Sequence, residues 1–118
     1  MKEYPKPIKK LIRKYMAEAY ERELGRELKK LEVSFEQWRS GEISNGEFSY
    51  RLHQYEVGPS RELYKQYNCG QADMNVAYAI VLGILNRNEI PPELLEQLAG
   101  PLEFYEGMAA RGDLRRPG

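Results

Sequence analysis

The chain has 118 residues, of which 42% are apolar and 31% are charged, and its formal net charge is zero. This length suits one hydrophobic core and is too short for two. The single cysteine, Cys69, excludes an internal disulfide, and the longest apolar run, 74–85, is too short to span a bilayer. The basic start contains Pro5 and Pro7 and does not resemble a signal peptide. We therefore expect a cytoplasmic protein that does not span a membrane.

The first predicted element is a long amphipathic helix. From Pro7 to Arg39, apolar residues recur at steps of three and four, the spacing of one helix face. Such a helix would be about 50 Å long, whereas a compact domain of this size is only about 35 Å across. Either the helix bends near Gly25, or its apolar stripe continues onto a partner. We expect a dimer or a protein partner, with an interface formed by Tyr20, Leu24, Leu28, Leu31, Phe35 and Trp38.

Charged residues cover the other face of this helix. The pairs Glu18–Arg22, Glu23–Arg26 and Glu27–Lys30 have the i,i+4 or i,i+3 spacing that stabilises exposed helices. We interpret this face as solvated surface and not as a binding site.

Local signals predict the beginnings of the next helices. Ser44 and Glu47 have the spacing of a capping box, so a second helix is expected from there to about Tyr55. The sequence Gly58-Pro59-Ser60 predicts a turn that opens a third, short helix over 61–67.

The remaining sequence completes an all-α prediction. Residues 71–86 are apolar on nearly every side, which indicates a buried central helix. Prolines at 91–92 and at 101 begin two further helices. The fold class is therefore a compact all-α bundle of about five to six helices, with one helical domain at 1–112 and a mobile tail at 113–118.

The residue inventory limits metal and covalent chemistry. One histidine, His53, and one cysteine, Cys69, cannot build a Cys/His zinc site within one chain. The two could form a catalytic pair in principle, but nothing in the sequence brings them together. Glycine-rich phosphate-binding loops are also absent. We expect no metal and no cofactor, and we assign no catalytic residue.

One constellation could bind an anion. Ser60 and Arg61 stand where the third helix would begin, so free backbone N–H groups, a hydroxyl and a guanidinium would converge there. Glu62 follows directly, and His53 on the preceding helix would titrate near neutrality. In the alternative interpretation, Ser60 merely caps the helix and Arg61 pairs with a surface Glu.

The N-terminal segment is basic. Residues 1–30 contain ten Lys and Arg against five Glu, and the rest of the chain has the opposite imbalance. Lys6, Lys9, Lys10, Arg13 and Lys14 could attract nucleic acid weakly through phosphate contacts. The zero net charge and the lack of a helix-turn-helix pattern argue against sequence-specific binding, so nucleic acid is not an expected partner.

These observations favour a small helical interaction or regulatory protein that acts as a homodimer or with a protein partner, and not an enzyme. Two alternatives stay open. One is a small enzyme or an anion- or ligand-binding domain with a polar site near His53, Ser60 and Arg61. The other is weak nucleic-acid binding through the basic N-terminal helix.

Overall fold

The computed structural model describes residues 3–114, and helices make up 79% of the structure. Residues 115–118 of the predicted tail lie outside the described residues. No strand occurs within 3–114, so the all-α prediction is confirmed. The elements are α1 (Lys6–Arg39), α2 (Asn45–Tyr55), a π-helical turn (Glu56–Ser60), α3 (Arg61–Asn68), α4 (Ala72–Val81), a 3-10 turn (Arg87–Glu89), α5 (Pro92–Gln97) and α6 (Ala99–Ala110).

Helix α1 passes through Gly25 without interruption for 34 residues. The molecule measures 53 × 31 × 25 Å, and its radius of gyration is 17.1 Å. A compact chain of this length would have a radius of gyration of about 13 Å. The long helix therefore extends beyond the body of the protein, as its length predicts.

Replacement of Gly25 by Ala should stabilise the protein. A Cβ added at Gly25 would meet nothing within 4 Å, and Ala exceeds Gly in helix propensity by about 0.5–1 kcal/mol. We expect Gly25→Ala to raise the free energy of unfolding by this amount in urea titrations. Gly41→Ala is the control, because Gly41 is equally open but has a φ of +83°, so it should destabilise. Changes of the same sign in both variants would contradict the prediction.

The hydrophobic core lies at one end of the molecule, around α4. Six of the ten residues of α4 are buried, which confirms a central buried helix. The N-terminal half of α1, α3 and α6 pack around it, and α5 packs against α1 and α6. The fully or almost fully covered side chains of the core include Ala19, Leu63, Tyr67, Val76, Ala77, Ala79, Leu85, Leu94 and Leu98.

Helix α4 is shorter than the predicted 71–86, because it ends at Val81. Gly83 adopts the left-handed conformation, with a φ of +79°. The N–H of Gly83 donates to the oxygen of Ile80 at 3.1 Å, and the N–H of Ile84 donates to that of Ala79 at 2.9 Å. This hydrogen-bond pattern is a Schellman motif, in which a glycine terminates the helix.

An arginine of α1 fixes the segment after α4. The guanidinium of Arg22 donates to the main-chain oxygen of Ile84 at 2.9 Å and to Glu89 Oε1 at 2.7 Å. Glu89 also accepts the N–H of Asn86 at 3.1 Å, which completes the capping box of the 3-10 turn. These contacts with Arg22 and with the N–H of Asn86 lower the pKa of Glu89. The segment is therefore held against α1.

The distal half of α1, residues 24–39, forms a helical hairpin with α2, called the hairpin below. The hydroxyl oxygen of Ser44 accepts the N–H of Glu47 at 3.0 Å, which confirms the predicted start of α2. The rings of Trp38 and Phe48 stack with their centroids 5.3 Å apart. Trp38 Nε1 donates to Asn45 Oδ1 at 2.7 Å. Aromatic contacts therefore close the tip of the hairpin.

Candidate interaction surface

Along the hairpin, α1 buries polar residues and exposes apolar ones. Glu23, Glu27 and Ser34 are only 5%, 9% and 9% exposed. In contrast, Leu28 and Phe35 are 49% and 38% exposed. Glu27 and Ser34 each precede an exposed apolar residue by one position, which corresponds to about 100° around the helix. The prediction that Glu23 and Glu27 lie on a solvated face is therefore wrong.

Polar groups from neighbouring residues satisfy the buried side of α1. The hydroxyl of Tyr67 in α3 donates to Glu23 Oε2 at 2.9 Å. Lys30 Nζ lies 2.8 Å from Glu27 Oε2, as the i,i+3 spacing predicts. In α2, Arg51 donates to Ser34 Oγ at 3.1 Å. Because a buried polar group without a partner is destabilising, these bonds explain why α1 faces its neighbours with this side.

The exposed large apolar side chains are concentrated in one region. Nine such residues occur within 3–114, and eight of them lie between positions 28 and 64. Phe104, on α6, is the exception. The eight are Leu28, Val33, Phe35, Trp38, Tyr50, Leu52, Val57 and Tyr64. Scattered single exposures are normal, whereas a contiguous apolar patch is typical of an interaction site.

A shallow groove of about 380 Å³ runs between the two helices of the hairpin. Its apolar residues are Leu31 and Phe35 from α1 and Phe48 and Leu52 from α2. Charged residues surround it, namely Glu32, Glu36 and Arg39. The guanidinium of Arg39 lies 4.9 Å from the centroid of the Phe35 ring. An apolar centre with a charged rim is the usual composition of a protein–protein interface.

The predicted interface residues divide into two groups. Tyr20 and Leu24 pack partly against the core, and the rings of Tyr20 and Tyr67 are 5.6 Å apart. Burial raises the pKa of Tyr20, with smaller contributions from Tyr55, Tyr64 and Glu21. Leu28, Leu31, Phe35 and Trp38 lie on the hairpin, where Leu31 is half-buried and the other three are exposed.

The short helix predicted over 61–67 is present as α3, but Ser60 does not cap a free helix end there. Residues 56–60 form a π-helical turn, and Ser60 has helical backbone angles, with φ −59° and ψ −50°, and no capping side-chain bond. Proline lacks an N–H and clashes with the preceding turn of an α-helix, and a π-helical turn is a local departure from α-helical geometry. We therefore infer that the π-helical turn accommodates Pro59 and lets the backbone stay helical from α2 into α3.

The four residues of the predicted anion site are consequently arranged differently. Arg61 donates to both carboxylate oxygens of Glu56, at 3.2 and 3.0 Å. His53 is exposed, and Ser60 is half-buried. Glu62 lines a cavity of about 380 Å³ at the base of the hairpin, together with Glu27, Lys30, Ser34 and Arg51 and without Ser60, Arg61 or His53. The structure does not gather the predicted residues around one point.

Two of the basic residues near the N-terminus have contacts within the chain. The five basic residues near the N-terminus are exposed, but Lys9 pairs with Glu3 at 3.1 Å and Lys14 lies 5.2 Å from the centroid of the Tyr15 ring.

Within residues 3–114, no group of three or more His, Cys, Asp or Glu side chains could hold a metal ion. No helix in the same range is both long and apolar enough to cross a membrane.

Comparison with known proteins does not identify the chain. No family model matches the sequence. The comparisons with curated proteins and with solved structures give no significant match either.

Proposed function

We propose that the chain is a protein-interaction protein and that its hairpin binds a second copy of itself. One observation carries this proposal: along the hairpin, α1 buries Glu27 and Ser34 while Leu28, Phe35 and Trp38 stay exposed. Burial of apolar surface contributes about 25 cal/mol per Å². In the monomer these apolar side chains stay exposed to water, and in an oligomer they would be buried.

Two helices alone have one shared seam and cannot cover apolar residues on their outer sides. A second hairpin packed against the first would complete a four-helix arrangement, the usual way in which helices share an apolar core. The groove lined by Leu31, Phe35, Phe48 and Leu52 offers a place for side chains of the second copy.

The spacing of the apolar stripe supports a second copy as the partner. Leu24, Leu28, Leu31 and Phe35 follow one another at steps of four, three and four, an order that reads the same in both directions. In an antiparallel pair with two-fold symmetry, Leu28 would meet Leu31 of the second copy, and Leu24 would meet Phe35. Such self-complementarity is what a symmetric dimer interface requires.

The test is the mass of the assembly in solution. We expect light scattering to give a dimer for the wild type, and Leu28→Lys to shift it to a monomer with an unchanged helical spectrum. The loss of a central interface residue costs more than about 1 kcal/mol, so the dissociation constant should rise at least about 5-fold. Phe104→Lys is the matched control, since Phe104 is 53% exposed but lies outside the hairpin. A monomeric wild type, or equal effects of the two variants, would refute the proposal.

A further inference from the structure

A cluster of tyrosines lies on α1 and α3, next to the base of the hairpin. The ring centroids of Tyr20 and Tyr67 are 5.6 Å apart. Burial raises the pKa of Tyr20, and the phenols of Tyr55 and Tyr64 contribute to the rise, so both lie near it. Tyr67 is buried and Tyr20 is half-buried, whereas Tyr64 is 58% exposed. Tyr20, Tyr64 and Tyr67, called the tyrosine cluster below, therefore have a covered side at Tyr67 and an open side at Tyr64.

A second aromatic cluster closes the tip of the hairpin. The ring centroid of Phe35 lies 5.6 Å from that of Trp38 and 5.7 Å from that of Phe48. Phe35 and Trp38 nevertheless stay 38% and 37% exposed. These three residues, called the aromatic tip below, therefore pack against one another and still present aromatic surface to solvent.

The two clusters stand at the two ends of the apolar stripe of α1, which begins at Tyr20 and ends at Trp38. The 18 positions between these residues correspond to about 27 Å along the helix. Ala19 and Glu23, which are buried, each precede a residue of the stripe by one position, or about 100° around the helix. The core therefore packs mainly against another side of α1 and leaves room for a partner along the stripe.

An antiparallel pair of hairpins would bring the two clusters together. In the two-fold arrangement that places Leu24 opposite Phe35 of the second copy, position 20 stands opposite position 39. Tyr20 and Trp38 of the second copy are then offset by only one position, about 1.5 Å along the axis. A parallel pair would instead place the two tips side by side. Trp and Tyr are enriched among the residues that contribute most to interfaces, and such residues tend to pair across them.

We propose that the aromatic tip of one copy packs on the tyrosine cluster of the other, so that the hairpins associate in antiparallel orientation. Two-fold symmetry forms this contact twice, and each copy supplies half of each contact. This inference rests on the proposed self-association, but a dimer of another orientation would remain possible without it. The two proposals can therefore fail separately.

Trp38 reports on the contact, because it is the single tryptophan of the chain. We expect its fluorescence emission to move to shorter wavelength as the wild type associates with rising concentration. Tyr64→Ala should raise the dissociation constant about 3- to 10-fold, since an aromatic pair contributes about 0.5–1.5 kcal/mol. It should also reduce the emission shift measured at saturation.

Tyr50→Ala is the matched control for Tyr64→Ala. Tyr50 and Tyr64 are both 58% exposed. Tyr50 lies two positions from Phe48 and two from Leu52, which is about 200° around α2 and therefore on the opposite side of that helix. Its replacement should leave both the dissociation constant and the Trp38 emission unchanged.

Cross-linking determines the orientation. Tyr64→Cys and Arg39→Cys, each combined with Cys69→Ser, give two single-cysteine variants, and all three original side chains are exposed. A short bismaleimide should join the two variants to each other in a mixture. It should join neither variant to itself, because like positions in the antiparallel pair lie more than about 25 Å apart. A parallel pair would give the reverse pattern.

Light scattering on the same samples separates the two proposals. A dimer that cross-links only within one variant would overturn the antiparallel contact and leave self-association intact. Equal effects of Tyr64→Ala and Tyr50→Ala on a dimeric protein would do the same. A monomeric wild type would refute both proposals at once.

Discussion

Leu94→Ala is expected to lower the free energy of unfolding by about 2–5 kcal/mol, the usual cost of removing a large buried side chain. Leu94 is fully buried, with 0% of its surface exposed. It belongs to α5, which has six residues and is too short to be stable without tertiary packing. Domains of this size are stable by about 5–15 kcal/mol, so the variant should lose a large fraction of the total.

The neighbouring residue gives a matched control. Leu95 has the same side chain on the same short helix but is half-buried. Chemical unfolding should therefore show a clearly smaller loss for Leu95→Ala than for Leu94→Ala. Equal losses would mean that burial against the core is not what stabilises α5.

Local signals were sufficient to predict most of the helices. The apolar spacing of residues 7–39 gave α1 almost to the residue, and the pair Ser44 and Glu47 gave the beginning of α2. Both signals act within a few residues of the chain, so no knowledge of distant contacts is needed. Only the Ser44 half of the predicted capping box at α2 forms, because the carboxylate of Glu47 accepts from Arg51 instead.

The side of α1 that faces its neighbours could not be predicted in this way. Periodicity shows that Leu24, Leu28, Leu31 and Phe35 share a face, but it does not show what lies opposite that face. The buried side is decided by donors on other elements, namely Tyr67, which reaches Glu23, and Arg51, which reaches Ser34. One signal was present in the sequence: the step from Ala19 to Glu23 and Glu27 continues the spacing of the buried core residues.

Asn75 is a second residue whose position the sequence shows but whose surroundings it does not. Its position in an apolar run was visible, and a polar residue inside a central helix is unusual in itself. Its Nδ2 donor, unused within residues 3–114, was not visible, because that depends on how the preceding helix, with Gln66, packs around the amide. The turn expected at residues 58–60 is not present. Gly and Pro normally end a helix, but here they occupy a π-helical turn.

Loss of the Arg22–Glu89 contact should also destabilise the protein. Arg22 joins α1 to the segment after α4 through three hydrogen bonds, two of them to the Glu89 carboxylate. Bonds between charged groups contribute about 1.5–3 kcal/mol when covered. Both side chains are about one-third exposed, so solvent reduces this value. We expect Arg22→Ala to lower the free energy of unfolding by about 1–2 kcal/mol. Arg61→Ala, which breaks an exposed pair with the nearby Glu56, should change it by less than about 1 kcal/mol.

The same contact predicts a dependence on pH. Arg22 and the N–H of Asn86 lower the pKa of Glu89 in the folded protein relative to the unfolded chain. The contribution of this carboxylate is therefore fully present above the ordinary Glu pKa, about 4.3, and disappears as the pH falls through the lower folded value. Wild type should be more stable than Glu89→Gln at neutral pH, and the difference should shrink toward pH 3. A difference that stays constant across this range would show that the ionised carboxylate is not what holds the segment against α1.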